Sequence, residues 1–162
     1  MKLIITDLEN FSLPEEGEYK VIRPKGEIRN CIGCFGCWSK TPGKCVIHDG
    51  YESTGCDLGK CTELIFISHC TYGSLSPFVK KVLDRAISYV QGDFVMRGGE
   101  MHHKRRYTNV IEVTAHFYGD NITDAEKETA RNLMQANADN FDGTVKAVHF
   151  HTSKEELEGI KL

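Results

Sequence analysis

Apolar residues fall into short blocks along the chain, and their spacing separates strands from helices. Residues 2–7, Lys-Leu-Ile-Ile-Thr-Asp, form a compact β-branched block that predicts a buried first strand. A second strand is expected from Tyr19 to Arg23, after a loop through Pro14 and Gly17. Residues 63–69, Glu-Leu-Ile-Phe-Ile-Ser-His, are apolar almost throughout, as in a strand covered on both faces. Strands are also predicted over 108–115 and 144–151. A helix should begin with Ser76 as N-cap and Pro77 at the first helical position. Its stripe is Phe78, Val79, Val82, Leu83, Ala86, Ile87 and Val90, ended by Gln91 and Gly92. Thr123 and Glu126 are spaced as a capping box. The helix they open carries Ala130, Leu133, Met134, Asn137 and Phe141 on one side. Residues 93–107 read as a long loop dense in Arg, His and Gly, 46–60 lack a clear pattern, and the charged tail reads as a turn.

Strands alternating with helices predict one α/β domain over residues 1–162, built on a five-stranded parallel sheet. The strand order should be 2-1-3-4-5, with right-handed crossovers and the two main helices on opposite or adjacent faces. Leu8 to Glu18 barely reaches the length a parallel crossover needs and contains a proline, so the first crossover helix should be missing.

In such sheets ligands bind beyond the carboxyl ends of the strands. The loops there are Thr6 to Glu9, then Ser68, His69, Cys70, Thr71, Tyr72, Gly73 and Ser74, then His116, Phe117, Tyr118, Gly119 and Asp120. The last two share a Tyr-Gly pair and offer an aromatic ring and a nearby N–H to a flat ligand such as an isoalloxazine. The plainer alternative is that Tyr72 and Tyr118 close strand ends against the following helices.

The most distinctive stretch is Cys31-Ile-Gly-Cys34-Phe-Gly-Cys37-Trp38, returning through Thr41-Pro42-Gly43 to Cys45. The intervening Gly33 and Gly36 free the backbone to wrap something small. Two Cys-x-x-Cys steps sharing a middle cysteine look more like iron–sulfur ligation than the separated knuckles of zinc sites. A tight loop of buried thiols without metal, and a redox-active disulfide between neighbours, are the alternatives. Among the other cysteines, Cys70 lies in a predicted site loop, whereas Cys56 and Cys61 read as packing residues.

Composition narrows the setting. The chain has 40% apolar and 27% charged residues with a net charge of −3, which leaves no nucleic-acid footprint. Asp7 and Glu9 cut the first apolar run too early for a signal peptide, and no segment reaches the ~20 apolar residues of a membrane helix. Seven cysteines, an odd number without an export signal, argue against a disulfide framework and for a reduced, cytoplasmic protein.

The run from Cys31 to Cys45, with Val-Ile-His-Asp49 after it, resembles the iron–sulfur flavoproteins and the wider NAD(P)H-dependent FMN reductase group of flavodoxin-like proteins. Ser68, Tyr72-Gly73-Ser74, Lys80 and Leu83-Asp84-Arg85 are similar to that group's loop and helix after the third strand. The resemblance covers roughly residues 28–90. It implies a flavodoxin-like three-layer sandwich, non-covalent FMN, NAD(P)H as a possible electron donor, and a homodimer or homotetramer. For Cys31, Cys34, Cys37 and Cys45 it implies a 4Fe–4S cluster, although relatives carry much of this run without one. The chain departs from the family after the first strand, where Asp7 and Glu9 replace the glycine- and serine-rich phosphate loop. Two carboxylates repel a phosphate that a helix N-terminus would attract.

Replacement cations are expected from Arg97, Lys104, Arg105 and Arg106, which could clamp a phosphate bidentately, with a solvated surface or subunit contact as the alternative. Adjacent His102 and His103 cannot share a face, so they are no metal pair. The sequence therefore reads as a flavin-dependent oxidoreductase or electron-transfer protein serving a small-molecule or protein redox partner. The alternative is a flavodoxin-like interaction or redox-sensing module that has lost FMN; a zinc-stabilised binding module stands behind both.

Overall fold

The computed structural model describes residues 1–12 and 17–160. Five strands form one parallel sheet: β1 (Lys2–Thr6), β2 (Tyr19–Ile22), β3 (Glu63–His69), β6 (Glu112–Tyr118) and β7 (Thr144–His151). Their spatial order is β2-β1-β3-β6-β7, the 2-1-3-4-5 order of flavodoxin-like sheets. The segment β3 is buried from Leu64 to Ser68, as its unbroken apolar run requires.

Crossover handedness decides which face each connection covers. The connections β2 to β3, β3 to β6 and β6 to β7 all travel the same way across the sheet, so right-handed crossovers place them on one face. That face carries α1 (Gly36–Ser39), α2 (Thr54–Leu58), α3 (Pro77–Arg85) and α4 (Asp124–Phe141). The two long helices thus share a face instead of lying on different ones. Leu58, Val79, Val82, Ala130, Met134 and Ala138 pack there on Leu3, Phe66, Val113 and Phe117. Only the β1-to-β2 connection runs the other way, and its described residues contain no helix. The second face, Ile4, Ile65 and Ile67, is covered by Leu157 from a 3-10 turn (Lys154–Leu157), with Leu8, Phe11 and Ile160. The third layer of the sandwich is therefore thin.

Both caps form. The Ser76 Oγ accepts from the Val79 N–H, and Thr123 and Glu126 complete the capping box. The apolar stripe after Ser76 is not one helix, however: α3 stops at Arg85, a 3-10 turn follows (Ala86–Tyr89), and Val90 opens a strand. The expected 93–107 loop belongs largely to an antiparallel hairpin, β4 (Val90–Arg97) with β5 (Glu100–Arg105). Gly98 and Gly99 turn it with φ of 57° and 86°. The strand β6 begins later than predicted because Asn109 is occupied beforehand, its Nδ2 donating to the Leu58 and Cys61 carbonyls at 2.8 and 2.6 Å. Among the described residues no helix is long and apolar enough to cross a membrane.

Candidate functional site

The cysteine loop lies on the helical face, because the β2-to-β3 crossover carries it there. Gly33 sits at φ 63° and Phe35 at 56°, turning the backbone tightly into α1. A Cβ on Gly36 would stand 2.6 Å from the Val46 side chain and 3.5 Å from the Cys34 Sγ, so only glycine allows this approach. Cys31 and Cys34 are exposed; Cys37 and Cys45 are buried. Burial raises the Cys37 pKa, and charge on Cys45, Cys31 and Cys34 raises it further. The four thiols thus share one electrostatic neighbourhood. Among the described residues no three Cys, His, Asp or Glu side chains stand assembled for one metal ion. A single-ion site of the zinc type is thus not assembled among these side chains.

Arg85 fastens this loop. Its Nε donates to the Cys45 Sγ at 3.0 Å, its Nη1 and Nη2 fork onto the Asp49 carboxylate at 2.8 and 3.0 Å, and the same nitrogens reach the Arg29 and Ile47 carbonyls. Every part of the guanidinium is used, and the side chain has no exposed surface. Burial works against this cation, but Asp49 and Cys45 more than offset it and raise its pKa. The hydrogen bonds from Arg85 in turn hold Asp49 at about 2. The sequence quotes Arg85 and Asp49 only as pieces of a resemblance; no local spacing signals that they meet.

The four cysteines line one wall of a cavity of about 620 Å3 between α3, α4 and the hairpin. Trp38, Leu83, Ile87, Leu133 and Phe141 form much of the rest. At its rim the rings of Phe35, Trp38, His103 and Phe94 follow one another at centroid distances of 5.4, 4.8 and 4.7 Å.

The strand-end loops are a different place, where His69, Cys70, Tyr118 and Gly119 meet while Tyr72 and Phe117 point elsewhere. Thr71 and Ser74 exchange backbone hydrogen bonds of 2.9 Å, which projects Tyr72 outward with its ring almost wholly exposed. Gly73 packs on the first turn of α4, where a Cβ would meet Thr129 at 2.7 Å. The Ser68 Oγ accepts from the Ser76 N–H and donates to the His69 carbonyl, so it serves the turn itself. Cys70 is buried, and burial raises its pKa. Phe117 faces the core against Phe150, while His116 faces the opposite side of the sheet.

Asp7 occupies the crevice that remains. Its Oδ1 accepts from the Tyr118 hydroxyl at 3.0 Å and its Oδ2 from the His69 N–H at 2.9 Å. Burial raises the Tyr118 pKa, and the Asp7 charge and hydrogen bond raise it further. Gly119 donates to the His151 carbonyl, and the His69 ring meets Tyr118 edge-on. A phosphate would meet the Asp7 carboxylate here, and the nearby N-termini of α3 and α4 are already capped by Ser76 and Thr123, so these residues do not fit the phosphate of FMN.

The arginines expected to clamp a phosphate are engaged within the chain. Arg97 and Arg105 both bind Asp142 at 3.2 Å, and Arg97 also donates to the Asp139 carbonyl. Arg105 donates to the Asn109 carbonyl, and Arg106 to those of Ser88 and Val90. Asp142 caps α4 just before β7 begins, at the amino end of the sheet. The strand-end loops lie a strand length away, roughly 20 Å at ~3.3 Å per residue. Arg97 and Arg105 tie the hairpin to α4, and Arg106 holds the Ser88 turn.

A histidine group on the thinly covered face escaped the sequence reading. His116 Nδ1 and His151 Nε2 are 3.0 Å apart, and His149 stacks on His116 at 4.7 Å. Burial, then the charges of His149 and His151, lowers the His116 pKa to about 4. The signal was the alternation His149-Phe-His151 opposite His116 in parallel register.

No protein-family model and no curated protein matches the sequence. Among solved structures the chain is similar to a thermophilic tryptophan halogenase from Streptomycin violaceusniger, with a TM-score of 0.52, 12% identity, and coverage of 97% of this chain and 91% of that one. It is also similar to the azoreductase AzrA, with a TM-score of 0.49, 10% identity, and coverage of 91% and 87%. At these identities the halogenase likeness supports the fold alone.

Proposed function

We propose that the protein is a redox protein on a flavodoxin-like sheet, an oxidoreductase or electron carrier, whose working centre is the four-cysteine loop. Cys31, Cys34, Cys37 and Cys45 would hold a 4Fe–4S cluster, which supplies one-electron transfer when bound. The observation that carries this reading is the buried guanidinium of Arg85 on the Cys45 sulfur, locked there by Asp49. A cysteine that only packs has no use for a buried cation at its sulfur. Hydrogen bonds to ligand sulfurs set the potential of such centres. Exposed Cys31 and Cys34 leave one side of the loop open to a small-molecule or protein redox partner.

FMN, fed by NAD(P)H, belongs to this reading as the two-electron partner, its ring against Tyr72 and Gly119 and its phosphate unclamped. Action in the reducing cytoplasm and as a homodimer or homotetramer belongs to it equally. The Asp7 contacts with Tyr118 and His69 favour a second reading, a flavodoxin-like redox module that works without flavin. A visible spectrum of protein purified without oxygen separates the two. Cluster absorption with flavin bands supports the full reading, cluster absorption alone supports the flavin-free module, and a colourless protein rejects both as cluster proteins.

A further inference from the structure

The cavity beside the cysteine loop is not part of the strand-end crevice, and its walls describe a ligand of their own. We infer that it binds an uncharged, planar aromatic compound of two or three rings carrying an amide or carbonyl edge. Its volume of about 620 Å3 suits a small molecule, within the range of ~300–1,000 Å3 for such sites. It lies between α3 and α4, under the loop.

Charge decides the ligand class. Three basic side chains line this wall: Lys80, Arg85 and His103. Lys80 is paired with Asp84 one helical turn on. Arg85 is fully engaged by Asp49, Cys45 and two carbonyls. His103 lies between the Trp38 and Phe94 rings, and its buried Nδ1, which has no hydrogen-bond partner, is left for a neutral group such as a carbonyl. A phosphate or carboxylate entering here would lose water and find Lys80 and Arg85 already paired with carboxylates, which is costly. Neutral polar groups are present instead. Asn137 and Asn140 project from the same face of α4 as Leu133 and Phe141. The Asn137 Nδ2 donates to the Leu133 carbonyl at 3.0 Å, which leaves its Oδ1 as an acceptor. Two amides on an otherwise apolar helix face are the few placed polar groups that orient a ligand.

The rim decides the shape. Ile32 and Phe35 are 72% and 64% exposed there, beside the Trp38 ring. A flat ring would cover this apolar surface by stacking. The cysteines form the opposite wall, so whatever they hold takes its share of this volume, while the amides of α4 and the aromatic rim stand apart from it.

Trp38 is the single tryptophan of the chain and stands in the cavity wall, so it reports occupancy. The test titrates the full chain with 2-naphthamide and, separately, with 2-naphthoate, following Trp38 fluorescence and the heat of binding. The heat gives stoichiometry whether or not the cysteines carry iron. Saturable one-to-one binding of the amide is expected, with the carboxylate at least about tenfold weaker, a difference of ~1.4 kcal/mol. Asn137→Leu should weaken the amide about tenfold, and the exposed Asn140→Leu serves as the second variant should the first misfold. Absence of saturable amide binding overturns the inference, as does equal affinity for the carboxylate. Equal amide affinity in both folded variants overturns the role of the amides.

Discussion

The Nε of Arg85 donates a 3.0 Å hydrogen bond to the Sγ of Cys45 from a side chain with no exposed surface. It joins the last turn of α3 to the end of the cysteine loop, segments forty residues apart in the chain. The fork onto Asp49, whose side chain is only 7% exposed, fixes the guanidinium plane and therefore the direction of Nε. Whatever the loop binds, its Cys45 corner is set in place beforehand.

Arg85→Ala should destabilise the protein by about 3–5 kcal/mol, because it leaves the Asp49 carboxylate buried and unpaired. Arg85→Lys keeps the charge but not the fork, so it should recover only part of that loss. Asp49 lies at about 2 in the folded chain against an ordinary 3.8. Its contribution is therefore complete above about pH 4 and fades as pH falls towards 2. Urea midpoints of the three proteins at pH 7 and pH 3 check both statements.

The histidine group predicts a second acid transition, at milder pH. His116 titrates at about 4 when folded, below its ordinary 6.5, chiefly because burial disfavours its charge. The unfolded chain then binds more protons between these values, so stability falls as pH drops from about 6.5 to about 4. The loss amounts to about 3 kcal/mol at ~1.4 kcal/mol per unit. His149 and His151 face the same ring, and Glu156 lies 3.8 Å from His151. Melting the protein from pH 7.5 to pH 4 should show this slope, and His116→Phe, which keeps the stack, should flatten it.

Much of the architecture was legible because it rests on local signals. The run from Leu64 to Ile67 could only be a covered strand, and the Ser76 and Thr123 caps form as their spacing requires. The stripe from Phe78 to Val90 misled because Ile87 and Val90 keep helical spacing after the helix has ended. What stops it is tertiary: α2 presses Gly55 against the Ser88 turn, where a Cβ would lie 2.8 Å from the Tyr89 nitrogen. The hairpin beyond did leave a signal, since Gly98-Gly99 between Phe94, Met96, Met101 and His103 is a two-residue turn flanked by alternation. The cysteine loop was visible as donor chemistry. Its anchor was not, since Asp49 in the β2-to-β3 crossover and Arg85 in the β3-to-β6 crossover meet only because both cover one face of the sheet.

The hairpin arginines should act on docking and not on a phosphate. Arg97→Ala and Arg105→Ala each release a partly exposed contact to Asp142 and should cost about 1 kcal/mol. Hydrogen exchange should quicken from Val90 to Arg105, while riboflavin and FMN affinities stay unchanged. A selective loss of FMN binding would return these arginines to a phosphate role.

Asp7 is the residue to change for the strand-end crevice. Asp7→Asn removes the charge beside the Tyr118 hydroxyl, so the phenol should ionise at lower pH, with burial still holding it above an ordinary tyrosine. Ultraviolet titration of tyrosinate checks the direction. The same substitution should strengthen FMN binding relative to riboflavin, because only the phosphate senses the lost charge.

The most direct test of a cluster on the four cysteines is the iron and acid-labile sulfide content of protein purified without oxygen. Iron and sulfide should be bound in equal amounts in the unmodified chain, lost in Cys45→Ser, and reduced or labile in Arg85→Lys. Neither iron nor sulfide in the unmodified chain, or an undiminished content in Cys45→Ser, would contradict the cluster.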